Sequence, residues 1–193
     1  MIRRSVFVGM LAAAGIAGSA LGNGTDIDTT FNSISPSVPF GWTFNGGTNT
    51  NFDDAGCFNF TRTGGSYTGV SGNYSSFCLE LTQSLTEGVN YNYKIVTPAQ
   101  APNANTPPFT NPLGAAGEQL MSELFGTFYG SLNLLSAQDC AAFQIAVWHI
   151  VYDRDDLTVI DPADSFQIFS TPAVLAQAQF YLCLLYTSPS PRD

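Results

Sequence analysis

Ser136-Ala-Gln-Asp-Cys-Ala-Ala-Phe-Gln-Ile-Ala-Val-Trp-His-Ile-Val-Tyr-Asp153 is the stretch on which the fold turns. Ser136 followed three residues later by Asp139 has the form of a helix N-terminus. The hydroxyl accepts from an early backbone N–H, and the carboxylate favours the positive end of the helix. A helix is predicted from Ala137 to Tyr152. Phe143, Ile145, Ala146, Val147, Trp148, Ile150 and Val151 surround its axis on nearly every side, so it is expected to be buried all round, without a solvated face. Gln144 is then buried with them. A carboxamide taken out of water without partners costs roughly 1–3 kcal/mol, so this one should be either well hydrogen-bonded or chemically modified.

A second segment gives Gln144 a candidate partner. Ser76-Phe-Cys-Leu-Glu-Leu-Thr-Gln83 alternates like a strand, with Phe77, Leu79 and Leu81 on one face and Cys78, Glu80 and Thr82 on the other. Cysteine is among the most buried residue types, so its place on the polar face needs a reason. One reason is that this face lies under the Gln144 helix.

Phe77-Cys-Leu-Glu80 on a strand and Ala142-Phe-Gln-Ile-Ala-Val-Trp148 on a later helix together resemble the thioester domains of Gram-positive surface adhesins; similar pairs occur in exported proteins of PEP-CTERM-bearing bacteria. The resemblance covers residues 77 to 153. It implies that the Cys78 sulfur condenses with the Gln144 side chain, ammonia leaves, and a buried thioester remains. Such an acyl group survives only where water is excluded, and Phe77, Phe143 and Trp148 are the expected apolar cover. It then acylates an amine or hydroxyl on a protein or polysaccharide surface, once, without enzymatic turnover and without a cofactor. Glu80, two residues beyond Cys78, has the position of a proton acceptor, and equally that of a charge on an exposed part of the strand.

With Cys78 committed to Gln144 and Cys183 set aside, Cys57 and Cys140 are left, and an exported protein can oxidise them to a disulfide. The rival pairing, Cys78 with Cys140, would abolish the thioester. Cys140 lies one helical turn before Gln144 and shares its face.

The chain opens with Met1-Ile-Arg-Arg4, an apolar run from Val6 to Ala20 and small residues near Gly22, the pattern of a secretory signal peptide over residues 1–22. Secretion or surface display is therefore expected, with no membrane span in the mature domain. Cys183-Leu-Leu-Tyr-Thr-Ser-Pro-Ser-Pro-Arg-Asp193 resembles the translation of a transposase adaptor used in sequencing libraries; the natural sequence is expected to stop near Leu182. Residues 23–182 then form one domain. Removing Arg3, Arg4 and Arg192 from six basic residues, and Asp193 from fifteen acidic ones, leaves a net charge of about −11. That acidity excludes nucleic-acid binding by phosphate neutralisation.

Strands are predicted at Pro39–Phe44, Cys57–Arg62, Val89–Val96 and Ser165–Phe169, separated by turn-forming Gly and Asn pairs. Thr97–Pro112, with five prolines, reads as a long loop. Helices are predicted at Gly117–Tyr129 and from Thr171–Pro172 to Leu182. A strand-rich first half and a helix-rich second half indicate an α+β domain, a β-sandwich or barrel with helices packed over one side.

The remaining chemistry is thinner. His149, the one histidine, is turned roughly 140° from Gln144 around the helix, and reads as structural. Asp153, Asp155, Asp156, Asp161 and Asp164 form an acidic loop without the glycine and terminal glutamate of an EF-hand, so no metal site is expected. Lys94, the one lysine, reads as solvated. The competing function is a non-reactive extracellular matrix or carbohydrate-binding β domain, stabilised by disulfides and stacking sugars on Trp42, Tyr67 and Tyr74.

Overall fold

The computed structural model describes residues 26–44, 50–81, 84–100, 113–153 and 166–187. The predicted signal peptide, most of the proline-rich loop, the acidic residues beyond Asp153 and residues 188–193 lie outside them.

Two long strands make the frame. β1 (Asp26–Phe44) and β2 (Asn51–Gly64) pair antiparallel from Asp28↔Gly64 to Trp42↔Asn51. β3 (Asn73–Ser76) continues the sheet on the far side of β2. The other edge of β1 is shared: β4 (Asn90–Lys94) takes its first residues and β5 (Phe166–Phe169) its last. Register shifts fall between Phe31 and Ser33 and between Ile34 and Ser37. An extra residue in one strand bends it and increases its twist, and Pro36, with no N–H for a ladder, sits in the second shift. Opposite it, a Cβ on Gly56 would run into the Pro36 carbonyl and Ser37, so only glycine permits this approach. The result is one antiparallel sheet curled into a half-barrel, not a sandwich of two sheets.

Among the described residues three α-helices complete an α+β domain: α1 (Gly114–Phe128), α2 (Ala137–Tyr152) and α3 (Pro172–Thr187). The Ser136 hydroxyl accepts from the Asp139 N–H at 3.2 Å, which caps α2. Every residue of α2 from Cys140 to Tyr152 is buried, because the helix lies between the sheet and the other two helices. On the sheet side, Trp148 stacks on Phe40 of β1 with ring centroids 4.9 Å apart. On the helix side, Phe143 meets Phe125 of α1 at 5.0 Å and Tyr181 of α3 at 5.9 Å. An apolar helix can be covered on all sides only as the middle layer of such a stack.

Several elements differ from their predicted bounds. Pro39–Phe44 and Cys57–Arg62 are parts of much longer strands, α1 begins three residues before Gly117, and α3 continues past Leu182 with Leu185 buried. Within the alternating segment Ser76–Gln83, Phe77–Leu81 is not a strand, and Thr82 and Gln83 lie outside the described residues. β3 stops at Ser76, and Phe77 to Leu81 are all buried in irregular backbone. At Cys78 and Leu81 it is side chains of α2, not a neighbouring strand, that bond this backbone. Lys94 is exposed on β4. Among the described residues, no helix is long and apolar enough to cross a membrane.

Candidate functional site

Four side chains of α2, each four residues after the last, form one stripe against the sheet and the segment that leaves β3. Cys140 is disulfide-bonded to Cys57 of β2, with Cα atoms 5.4 Å apart. Gln144 reaches Cys78, Trp148 stacks on Phe40, and the Tyr152 hydroxyl accepts from the Leu81 N–H at 2.9 Å. Residues four apart share a helix face, so a single straight helix presents all four.

The Gln144 contact is two-pronged. Its Oε1 accepts from the Cys78 N–H at 2.7 Å, and its Nε2 donates to the Cys78 carbonyl at 2.8 Å. At Cys78 the carboxamide thus occupies the place a neighbouring strand would take. Both groups are out of water: Gln144 is 0 % exposed and Cys78 7 %.

Cys78 carries a free thiol. Its Sγ–H donates to the Glu80 carbonyl at 3.3 Å. Burial pushes the thiol pKa up to about 12, and the negative charges of Glu80 and Asp53 add to the rise. Glu80 is also buried, at 4 % exposure, so it is not the exposed strand charge that alternation allowed. Burial alone pushes its carboxyl up to about 7. That is the range in which a carboxylate accepts and returns protons near neutrality.

The predicted cover divides between two sides of the pair. Phe77 and Phe143, the residues immediately before Cys78 and Gln144, pack at 4.7 Å and close the side toward α1 and α3. Trp148 instead lines a cavity of about 230 Å³ together with Cys78, Glu80, Leu81, Leu85 and Asp53. Gln144 is not on its wall. The cavity therefore gives access to Cys78, with the carboxamide behind it.

Asp53 and Asp54 of β2, also on that wall, carried no signal in the sequence beyond being two adjacent acids in a polar run. Although Asp53 is exposed on β2, partial desolvation at the cavity wall raises its carboxyl; a hydrogen bond from the Asp54 N–H opposes the rise and the Asp54 charge adds to it. His149 is fully buried in α2 and does not line the cavity. Among the described residues, no three His, Cys, Asp or Glu side chains are grouped to hold a metal ion.

The proposed sugar-stacking aromatics present little surface. Trp42 and Tyr74 are buried, the latter donating its hydroxyl to Thr29 at 3.0 Å, and Tyr67 is half-buried. No protein-family model, no curated protein and no solved structure matches this chain.

Proposed function

We propose that this chain is an exported, adhesin-like domain in which the Cys78 sulfur condenses with the Gln144 carboxamide, and that the internal thioester captures an amine or hydroxyl on a protein or polysaccharide partner. One observation carries the proposal: both polar atoms of the Gln144 side chain are bonded to the backbone of Cys78, in a site closed by Phe77 and Phe143. The resemblance of Phe77–Glu80 and Ala142–Trp148 to thioester domains supports the same chemistry.

Each atom has a place in the condensation. With a pKa of about 12, the thiol is ionised in only about one molecule in a hundred thousand at pH 7, so it needs a base. The Glu80 carboxylate takes the thiol proton as sulfur attacks Cδ of Gln144. Negative charge develops on Oε1, which already accepts from the Cys78 N–H, so the donor is in place before the charge appears. The C–N bond then breaks, Nε2 takes the proton from Glu80, and ammonia leaves. Because the bond forms once per molecule, speed is not demanded: a barrier of about 22 kcal/mol is crossed within about an hour.

Capture reverses the logic. A nucleophile that enters by the cavity and passes Cys78 attacks the thioester carbonyl behind it, loses its proton to the departing sulfur, and ends joined to the Gln144 acyl group, with Cys78 again a thiol. The product is a covalent bond to the partner, with no turnover.

Intact mass tests this directly. Freshly purified wild type should be one ammonia lighter than its sequence after allowance for the hydrogens lost in the Cys57–Cys140 bond, and Cys78→Ala should show no such deficit. Full mass in folded wild type would sink the proposal. It would favour a non-reactive domain in which Gln144 is a satisfied core amide.

A further inference from the structure

The β2–β3 ladder ends at the pair Phe58↔Ser76. From that point the two chains part, Cys57 preceding Phe58 on one side and Phe77-Cys78 following Ser76 on the other. Cys57 is bonded to Cys140; one helical turn along α2 stands Gln144; and the Gln144 carboxamide returns to Cys78. These arms form a short closed circuit. One arm is a disulfide, one is a single turn of buried helix, one is the end of a paired ladder, and the last is a pair of hydrogen bonds between neutral groups.

The last arm is the only soft one, and it is the one where the reaction takes place. A slip of α2 by one residue moves Gln144 by about 1.5 Å along the helix and about 100° around it, which removes both bonds to Cys78. The Phe143 and Trp148 contacts are apolar and do not define a register so narrowly, and the Tyr152 hydroxyl, which accepts from the Leu81 N–H, acts two turns beyond Gln144. A covalent link one turn away does define it.

We infer that the Cys57–Cys140 disulfide is a positioning device for the Cys78–Gln144 pair, so that the carboxamide is held against Cys78 only once those two cysteines are oxidised. Both are buried, Cys57 on β2 and Cys140 in the first turns of α2, so the bond ties helix to sheet inside the core and does not clip surface loops together. In the proposed function, which this inference deepens, the domain is inert while its thiols are reduced. It becomes competent to lose ammonia after two electrons and two protons pass from Cys57 and Cys140 to a disulfide-donating oxidant. Misplacement by about 1 Å is enough to slow a positioned reaction about a hundredfold.

The test avoids reductants, which attack a thioester as well as a disulfide, and uses Cys57→Ser with Cys140→Ser in the full chain. Where the serine pair fails to fold, Cys57→Ala with Cys140→Val replaces the buried sulfurs by apolar groups. Ile27→Ala, a fully buried change on β1, is the control for lost stability alone. Ammonia loss, followed by intact mass after refolding, should be slowed about a hundredfold in the disulfide-free protein and unchanged in Ile27→Ala. Positioning is read separately in a Cys78→Ala background, where no thioester can form but the backbone groups that hold Gln144 remain. There, exchange of the Gln144 side-chain amide hydrogens should quicken at least about tenfold when the disulfide is removed, and not with Ile27→Ala. Equal protection with and without the disulfide, or equal rates of ammonia loss, would overturn the inference. If wild type itself loses no ammonia, the proposed function fails, and the amide exchange still decides whether the disulfide positions Gln144.

Discussion

Cys78→Ala separates the two roles the site can have, because the structure places Gln144's hydrogen bonds on the backbone of Cys78 and not on its sulfur. The substitution keeps both bonds and removes the thiol with its contact to the Glu80 carbonyl. A buried sulfur with only packing to lose is worth about 1 kcal/mol. A thioester adds a cross-link. Cys78 and Gln144 are 66 residues apart in the chain, but the Cys57–Cys140 bond already offers a shorter path, leaving a loop of about 25 residues to close and a stabilisation of about 3.5 kcal/mol if the link acts as a disulfide does. Wild type and Cys78→Ala should therefore differ by about 4–5 kcal/mol in urea unfolding if the bond forms, and by about 1 kcal/mol if it does not. Gln144→Ala also breaks the cross-link and in addition strands the buried Cys78 N–H, costing about 1–3 kcal/mol more; the Cys78 carbonyl has already lost its donor with the departing ammonia. The double variant tests the coupling: a cross-link is lost only once, so its cost should fall short of the sum of the single costs by about 3.5 kcal/mol. Additive costs, with Cys78→Ala near about 1 kcal/mol, would refute a covalent bond between these residues.

Three further outcomes are expected. Glu80, raised from 4.5 to about 7, holds a proton in the folded state that the unfolded chain has released; its contribution to stability is complete below about pH 4.5 and is lost as pH rises through about 7. The span is at most about 3 kcal/mol and nearer 1–2 where solvent reaches the cavity; urea midpoints at pH 5 and pH 8 should show it in wild type and not in Glu80→Gln, which should also slow ammonia loss. Tyr152→Phe leaves the Leu81 N–H without its acceptor, so stability should fall by about 1–2 kcal/mol with faster amide exchange at Leu81, and an unchanged Leu81 would contradict the contact. Phe143→Ala opens a void between Phe77, Phe125 and Tyr181 and should cost about 3–5 kcal/mol. Any thioester in it should hydrolyse faster than in wild type, seen as recovery of mass by one water.

The central helix was legible because two independent signals agree on it. Ser136 and Asp139 mark its start, and apolar side chains in every direction demand a middle layer. The residues from Phe77 to Leu81 have the alternation of a strand without being one, for a physical reason. Alternation is evidence for a strand when the next chain supplies the hydrogen bonds, and here Gln144 and Tyr152 supply them from a helix 66 and 71 residues away. Strand β1 was only partly visible because its bulges at Asn32 and Pro36 break the period of two that reveals a strand. Counting cysteines left two pairings open, and only the fold brings Cys57 beside Cys140 while Cys78 keeps its thiol. Asp53 and Asp54 line the cavity from β2 together with residues distant in the chain, a juxtaposition no local pattern encodes.

The four-residue rhythm of Cys140, Gln144, Trp148 and Tyr152 makes α2 behave as a ruler with four marks, each read by a different part of the molecule. Changing what stands between the marks leaves the ruler intact, provided the new residue fills the same space. Deleting or inserting a single residue between Cys140 and Tyr152 instead rotates every later mark by about 100°, and bond, amide, ring and hydroxyl fall out of step together. Spacing along this helix is thus a stricter requirement than the identity of most residues in it, and libraries that vary Ile145, Val147 or Ile150 at constant length should retain far more folded members than any that alter length by one.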